Sequence, residues 1–240
     1  MRTSTIQPPL GTPLNRSQSL SQGLVGCWLF NEGGGQKAFD STGINIAPGV
    51  LTSGAFFGVN KLGSCVQCDG ANDFIDMGAA SVLNFSTKMT ISYWFKRASG
   101  SLVHVNKYLN TGNQKSYILQ VFSDNKIYWD VSSNGSNDLY FVQTGTTTST
   151  EWNMVTGTFN GANSTNATKL PCYLNGVPVA GTYPAGTPTS LFQSTANLQV
   201  NKYNAGTYGS GMVMNVMLWN RDLSATEVME LYKNSYQMFQ

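Results

Sequence analysis

Short apolar runs separated by glycine- and asparagine-rich turns recur along almost the whole chain, and no other feature limits the fold as much. MTISYWFKR alternates apolar and polar residues over 89–97, the two-residue period of a half-buried strand. SYILQVF and KIYWDVSS are two such runs separated by Ser123-Asp124-Asn125, a hairpin signal. In CYLNGVPV the pair Asn175-Gly176 stands between apolar flanks. A two-residue hairpin loop needs positive φ at both positions, which asparagine and glycine tolerate best. GLVGCWLF closed by NEGGG, SCVQC before DGAND, MVTGTF before Asn160-Gly161, NLQVNKY and MVMNVMLW complete the set. Strands at this spacing describe an all-β sandwich or jelly roll.

One helix interrupts the pattern. Ser224 reads as its N-cap, Glu227 as the capping-box partner, and Leu223 with Val228 as a hydrophobic staple. Val228, Leu231 and Tyr232 then share one face. The expected fold is therefore a two-sheet antiparallel jelly-roll sandwich with one short C-terminal helix. No internal repeat and no interior linker divides it.

Composition narrows the class further. The chain has 240 residues, of which 11% are charged, against about 25% in a typical soluble protein. Coiled coils and long bundles need charged helix formers and are excluded. The formal net charge is +2 and the basic residues are scattered, so a phosphate-tracking groove for nucleic acid is not expected. No apolar run approaches the roughly 18 residues of a membrane span. The opening MRTSTIQPPLGTPLNRSQSLSQ has no apolar signal-peptide core, which reads as synthesis in a reducing cytoplasm.

Residues 1–22 read as an extended polar arm, 23–234 as the domain and 235–240 as a tail. Pro8, Pro9 and Pro13 oppose a helix in the arm. If the arm only anchors, its deletion leaves a folded domain. Cys65-x-x-Cys68 invites a redox or zinc reading. The chain has four cysteines, no second such pair and a single histidine, His104. Cys68 and Cys172 alternate with apolar residues and read as small core residues.

In order, GLVGCWLFNEGGG…FDSTG, LGSCVQCDGANDFIDMG, MTISYWFKR, EWNMVTGTFNG, CYLNGVPV and VMNVMLWNRDLSATEVMELY resemble the laminin-G-like, concanavalin A-like jelly-roll family. The resemblance runs from about residue 23 to 234. The family's closing strand usually carries an acidic pair, where this chain has Met214 and Asn215. If those acids help to hold calcium in relatives, they are lost here. Asp69, Asp73 and Asp76 remain as calcium candidates, with tight-turn chemistry as the alternative reading. The opening together with LYKNSYQMF resembles laminin-G-like proteins of tailed phages.

The residues offer little catalytic machinery. His104 has no Gly-x-Ser-x-Gly elbow to serve and reads as a strand residue. Glycosidases on this sandwich place several acids at alternating positions of one strand, and no such string occurs. Asp130 alone lies within a strong strand pattern. What remains is binding, because aromatic faces with amide and hydroxyl partners hold sugars. The candidate glycan contacts are Tyr108, Trp129, Tyr140, Tyr203 and Tyr208. Trp28, Trp94, Trp152 and Trp219 read as core.

The expectation is a non-enzymatic protein without a cofactor. It would be displayed on a virion surface as a capsid-decoration, tail or fibre protein, and could form a homo-oligomer. Arg2, Arg16, Tyr236 and Phe239 would anchor it to capsid or tail proteins, and cell-surface glycans would be its other partners. A stand-alone carbohydrate-binding module is the first alternative and a glycoside hydrolase the second.

Overall fold

Strand propensity and turn chemistry resolve into two antiparallel sheets packed face to face. The computed structural model describes residues 6–44, 46–98, 101–147, 151–186, 188–204 and 206–239. In chain order the first strands are β1 (Leu24–Trp28), β2 (Lys37–Ala38), β3 (Gly49–Thr52), β4 (Phe56–Asn60), β5 (Gly63–Asp69), β6 (Phe74–Asp76), β7 (Lys88–Arg97), β8 (Val103–Leu109) and β9 (Gln114–Val121). There follow β10 (Ile127–Ser132), β11 (Asp138–Gln143), β12 (Asn153–Asn160), β13 (Cys172–Leu174), β14 (Val177–Pro178) and β15 (Gly181–Ala185). The last are β16 (Gln199–Val200), β17 (Lys202–Tyr203), β18 (Thr207–Tyr208) and β19 (Ser210–Trp219). Helix α1 (Asn166–Lys169) is a single turn, and α2 (Ala225–Lys233) is the helix expected near the C-terminus.

The eight-stranded sheet runs β14-β13-β12-β7-β19-β5-β4, with β1 also paired to β19. The nine-stranded sheet runs β15-β11-β10-β9-β8-β16-β6-β3-β2. Between them lies the main core, including Ile91, Tyr93 and Phe95 of β7 and Ile127, Trp129 and Val131 of β10. Gly157 of β12 faces Trp129: a Cβ there would sit 2.8 Å from the indole ring. The missing side chain makes room for the tryptophan, whose Nε1 donates to the Thr158 carbonyl at 2.9 Å.

A second core covers the outer face of the eight-stranded sheet. It gathers Leu20, Trp94, Met214, Met217, Trp219, Val228, Leu231, Tyr236 and Met238. Strand β19 feeds both cores. Val213, Val216 and Leu218 point inward, whereas Met214, Met217 and Trp219 point outward. That parity needs one extra residue between Val213 and Val216. Asn215 is that residue: φ is +53° and the register against β7 shifts between Met214 and Met217, a β-bulge.

Local signals were accurate where they were strong. Ser224 and Glu227 form a reciprocal capping box on α2. Asn175 (φ +53°) and Gly176 (φ +81°) make the turn between β13 and β14. The one-turn α1, capped by Thr165 and Thr168, is an addition that the sequence reading lacked. Trp28, Trp94, Trp152 and Trp219 are all buried.

The arm and tail correct the expected boundaries. The described part of the arm packs on its own domain. Leu20 is fully buried, its carbonyl accepts the Trp219 Nε1–H at 2.7 Å, and Arg221 donates to the carbonyls of Gln22 and Ser19. Gln7 bonds Leu29 and Ser64, and Asn15 N–H reaches the Met238 carbonyl at 2.7 Å. Deleting residues 1–22 would strip a core layer, not an appendage.

His104 of β8 is fully buried. Its Nδ1 lies 3.0 Å from Asn106 Nδ2, and Nε2 has no partner. Burial pushes its pKa down from 6.5 to about 3, so the ring is neutral in the fold.

Two outcomes follow. Leu20→Ala should cost about 2–5 kcal/mol by urea denaturation, and removal of residues 1–22 should abolish cooperative unfolding. A truncated chain that melts like wild type would show that the arm is not part of the second core. His104 binds a proton more readily unfolded than folded, so its stabilisation is complete above pH 6.5 and is lost as pH falls towards 3. Between pH 6.5 and 4.5 the loss should approach roughly 1.4 kcal/mol per pH unit. His104→Gln should remove that slope, and equal slopes in both proteins would contradict it.

Candidate functional site

With one sheet covered on both faces, the outer face of the nine-stranded sheet is where polar strand residues collect. Cα pairing defines a row across it: Tyr140 opposite Asp130, Asp130 opposite Ile118, and Ile118 opposite Asn106. The row continues from Asn106 through Gln199 to Asp76. A second row runs Val142, Tyr128, Gln120, His104. Their neighbours Ile127, Trp129, Val131, Val103 and Val105 face the core, so strand alternation turns these side chains outward.

The face is partly covered. The β17–β18 hairpin lies over its middle: Asn106 Nδ2 donates to the Lys202 carbonyl at 2.7 Å. The Lys202 ammonium sits 4.1 Å from the Phe74 ring centroid. Tyr203 meets His104 edge-on at 6.3 Å and Tyr108 at 5.7 Å. Residues 192–196 are tied to the β8–β9 pair, with Ser116 Oγ donating to the Phe192 carbonyl and Lys107 Nζ to the Ala196 carbonyl. Gln120, Tyr128, Asp130 and Tyr140 remain half-exposed beside the hairpin.

Tyr128 donates its hydroxyl to Asp124 Oδ2 at 2.8 Å. Burial, helped by Asp124, pushes its pKa up to about 12, so the phenol stays neutral. Asn110 joins the edge of the patch, its N–H bonded to Asn204 Oδ1 at 2.8 Å and its amide 3.5 Å from the Tyr203 hydroxyl. The result is a surface of aromatic rings, amides and the carboxylates of Asp124 and Asp130.

The structure sorts the expected contacts. Tyr140 and Tyr203 border this patch. Tyr208 belongs to the hairpin but leans 6.2 Å from Phe74. Tyr108 is buried beneath Tyr203 and supports it without facing solvent. Trp129 is a correction: it is fully buried, because its parity places it with Ile127 and Val131. Tyr128 was missed, although alternation with Trp129 in KIYWDVSS marks it as outward-facing.

The expected anchors fare differently. Arg2 lies outside the described residues. Arg16 donates to the Thr42 carbonyl at 2.5 Å. Tyr236 is a correction, since it is buried with its hydroxyl 2.9 Å from Asn215 Nδ2. Phe239 is half-buried against the second core.

Other chemistry is held in local structure. Asp69 accepts from Ala71 N–H at 2.7 Å, and Asp73 from Asp69 N–H at 3.1 Å. Asp76 accepts from Gly78 N–H and the Asn197 amide, each at 2.9 Å. These are turn and loop contacts. Asp73 Oδ1 is buried without a donor. Among the described residues no three His, Cys, Asp or Glu side chains are grouped to hold a metal. Cys65 and Cys68 point to opposite faces of β5, into different cores. Asp130 and Asp76 are four strands apart in one row, roughly 19 Å, well beyond the separation of a glycosidase pair. No helix of the described residues is long and apolar enough to cross a membrane.

No curated protein matches the chain significantly. Among solved structures, the binding domain of Paraclostridial Mosquitocidal Protein 1 superposes with a TM-score of 0.68 at 17% identity, over 91% of this chain and 53% of that one. This chain thus spans about half the length of that relative. Domain 4 of AbnA, an extracellular arabinanase from Geobacillus stearothermophilus solved with arabinotriose, gives 0.64 at 14% identity over 87% and 98%. A structure of botulinum neurotoxin type C, whose cell entry is described as dependent on two ganglioside molecules, gives 0.66 at 12% over 90% and 52%. At these identities the likeness is one of fold. The sequence profile of Laminin_G_3, described as the concanavalin A-like lectin/glucanases superfamily, matches residues 69–229. The chain belongs to this family.

Proposed function

We propose that this protein is a non-catalytic, lectin-like module that binds glycans on the outer face of its nine-stranded sheet. The observation that carries the reading is the half-exposed cluster Tyr128, Tyr140, Asp130 and Gln120, flanked by the Tyr203 hairpin. Aromatic rings stack on the apolar faces of sugars, while amides and carboxylates take their hydroxyls. The patch is shallow and most of its polar groups are neutral, which suits an extended neutral saccharide. The similar structures described with arabinotriose and with gangliosides support the same reading.

We further propose display on a virion, made in a host cytoplasm and attached to capsid or tail proteins. This part rests on the phage-like opening and closing segments. Residues 6–22 are engaged on their own domain, so the attachment is assigned to the exposed edge strand β4. Phe56 and Val59 there are 50% and 81% exposed, and an open edge can accept a strand from a neighbour.

Glycan-array screening followed by calorimetry tests the binding reading. Specific binding should fall about three- to ten-fold in Tyr128→Ala and in Tyr140→Ala. Failure to bind any saccharide at millimolar concentration would refute it. So would turnover of a polysaccharide that disappears in Asp130→Asn. For display, the protein should co-sediment with particles and lose that property in Phe56→Lys; co-sedimentation unaffected by that change would remove β4 from the contact.

A further inference from the structure

The hairpin over the middle of the nine-stranded sheet is not part of that sheet. Strands β17 and β18 pair with each other, and a 2.9 Å bond from Gly209 N–H to the Asn201 carbonyl closes their base. Side-chain contacts fasten the hairpin to the face below, and one of them runs through Asn106. The Asn106 amide carries two N–H groups. One donates to the Lys202 carbonyl of β17 at 2.7 Å, and the other meets His104 Nδ1 at 3.0 Å. A carbonyl can only accept, so the amide nitrogen is fixed at this position and Nδ1 must be the bare nitrogen of the ring. The imidazole proton therefore sits on Nε2, which is buried without an acceptor.

A protonated His104 does not fit this arrangement. The second ring proton can only go to Nδ1, where it faces the amide N–H. Turning the amide over satisfies the ring but sets Oδ1 against the Lys202 carbonyl, acceptor to acceptor. One of the two contacts is lost in either case. Nothing beside the ring offsets the new charge. Gln120 of β9 stands opposite His104, and Asn201 flanks it with Oδ1 3.3 Å from the His104 backbone nitrogen. The hairpin brings Tyr203 edge-on at 6.3 Å and a further cation, Lys202. Lys107 of the same strand reaches the Ala196 carbonyl instead. No carboxylate of the described residues moves the ring's pKa, which burial lowers.

We propose that His104 and Asn106 form an acid-sensitive latch, in which protonation of the imidazole releases the β17–β18 hairpin from the sheet while the sandwich stays folded. The open hairpin gives the imidazolium water and the closed one denies it. The ring takes up a proton more readily open than closed, so the open form gains about ten-fold for each pH unit below 6.5. The latch does not depend on the glycan reading. Where that reading holds, release removes Tyr203 from the ligand face and uncovers His104 and Asn106.

His104 is the only histidine of the chain, so its ring resonances can be followed in the isotope-labelled full-length protein by nuclear magnetic resonance. On acid titration the ring should protonate at a midpoint below 6.5. The Asn106 side-chain amide and the backbone amides of Lys202 and Tyr203 should move at that same midpoint, while those of β7 keep their folded positions. Asn106→Ala holds the hairpin less firmly, and its midpoint should rise by about one pH unit. In His104→Gln, whose amide oxygen can still accept from Asn106, the hairpin resonances should stay in place over the same range. Protonation seen only together with loss of the β7 signals would overturn the proposal. So would a His104 titration that leaves Lys202 and Tyr203 unmoved, equal hairpin movement in His104→Gln, or an unshifted midpoint in Asn106→Ala. The wild-type titration and each variant are read separately, so a variant that does not fold leaves the others decisive.

Discussion

The eight-stranded sheet has no face that can be left in water, and the rest of the molecule answers to that. One face of β7, β12 and β19 meets the other sheet, and the opposite face presents Trp94, Met154, Met214, Met217 and Trp219. Exposing side chains of this size would forgo about 1.5–3 kcal/mol each. The arm, α2 and the tail supply the missing cover, so a two-layer sandwich becomes a three-layer one on this side. The nine-stranded sheet is built differently. Its central strands alternate, and their outward residues include Tyr128, Tyr140, Asp130, Gln120, Asn106 and His104 beside Ile118 and Val142. Polar and aromatic groups able to meet a ligand from a sheet therefore concentrate on that second surface.

Much of this was legible, and the failures have physical causes. Strands, the Asn175-Gly176 turn and the α2 capping box are local signals, and the structure follows them. Trp129 was placed at a ligand surface because it flanks a loop, although its parity with Ile127 and Val131 puts it in the core. The same parity would have found Tyr128. The arm misled for another reason. It is polar, proline-containing and without period, so its few apolar residues gave no face to detect. Only the outward Trp219, whose indole N–H must find an acceptor once buried, explains why the Leu20 carbonyl is needed. Burial of His104 under the β17–β18 hairpin joins residues about a hundred positions apart, and no local pattern encodes it.

The neutral pair at Met214 and Asn215 and the presence of the third layer are one feature seen twice. The laminin-G-like resemblance implies an acidic pair, usual in that family, at these positions of the closing strand, and an acid there needs water or a cation beside it. In this chain Met214 and Asn215 are each only 2% exposed, under the helix and tail. A carboxylate at Met214 would be buried among Trp94, Met217 and Trp219 without a partner, at a cost of several kcal/mol. The arm and tail can close over β19 only because both residues are uncharged. The family match, 69–229, stops short of the arm at one end and of Tyr236 and Met238 at the other. The arm, the last turn of α2 and the tail thus lie outside the match, while Val228 of the cover and the residues that permit it stand inside.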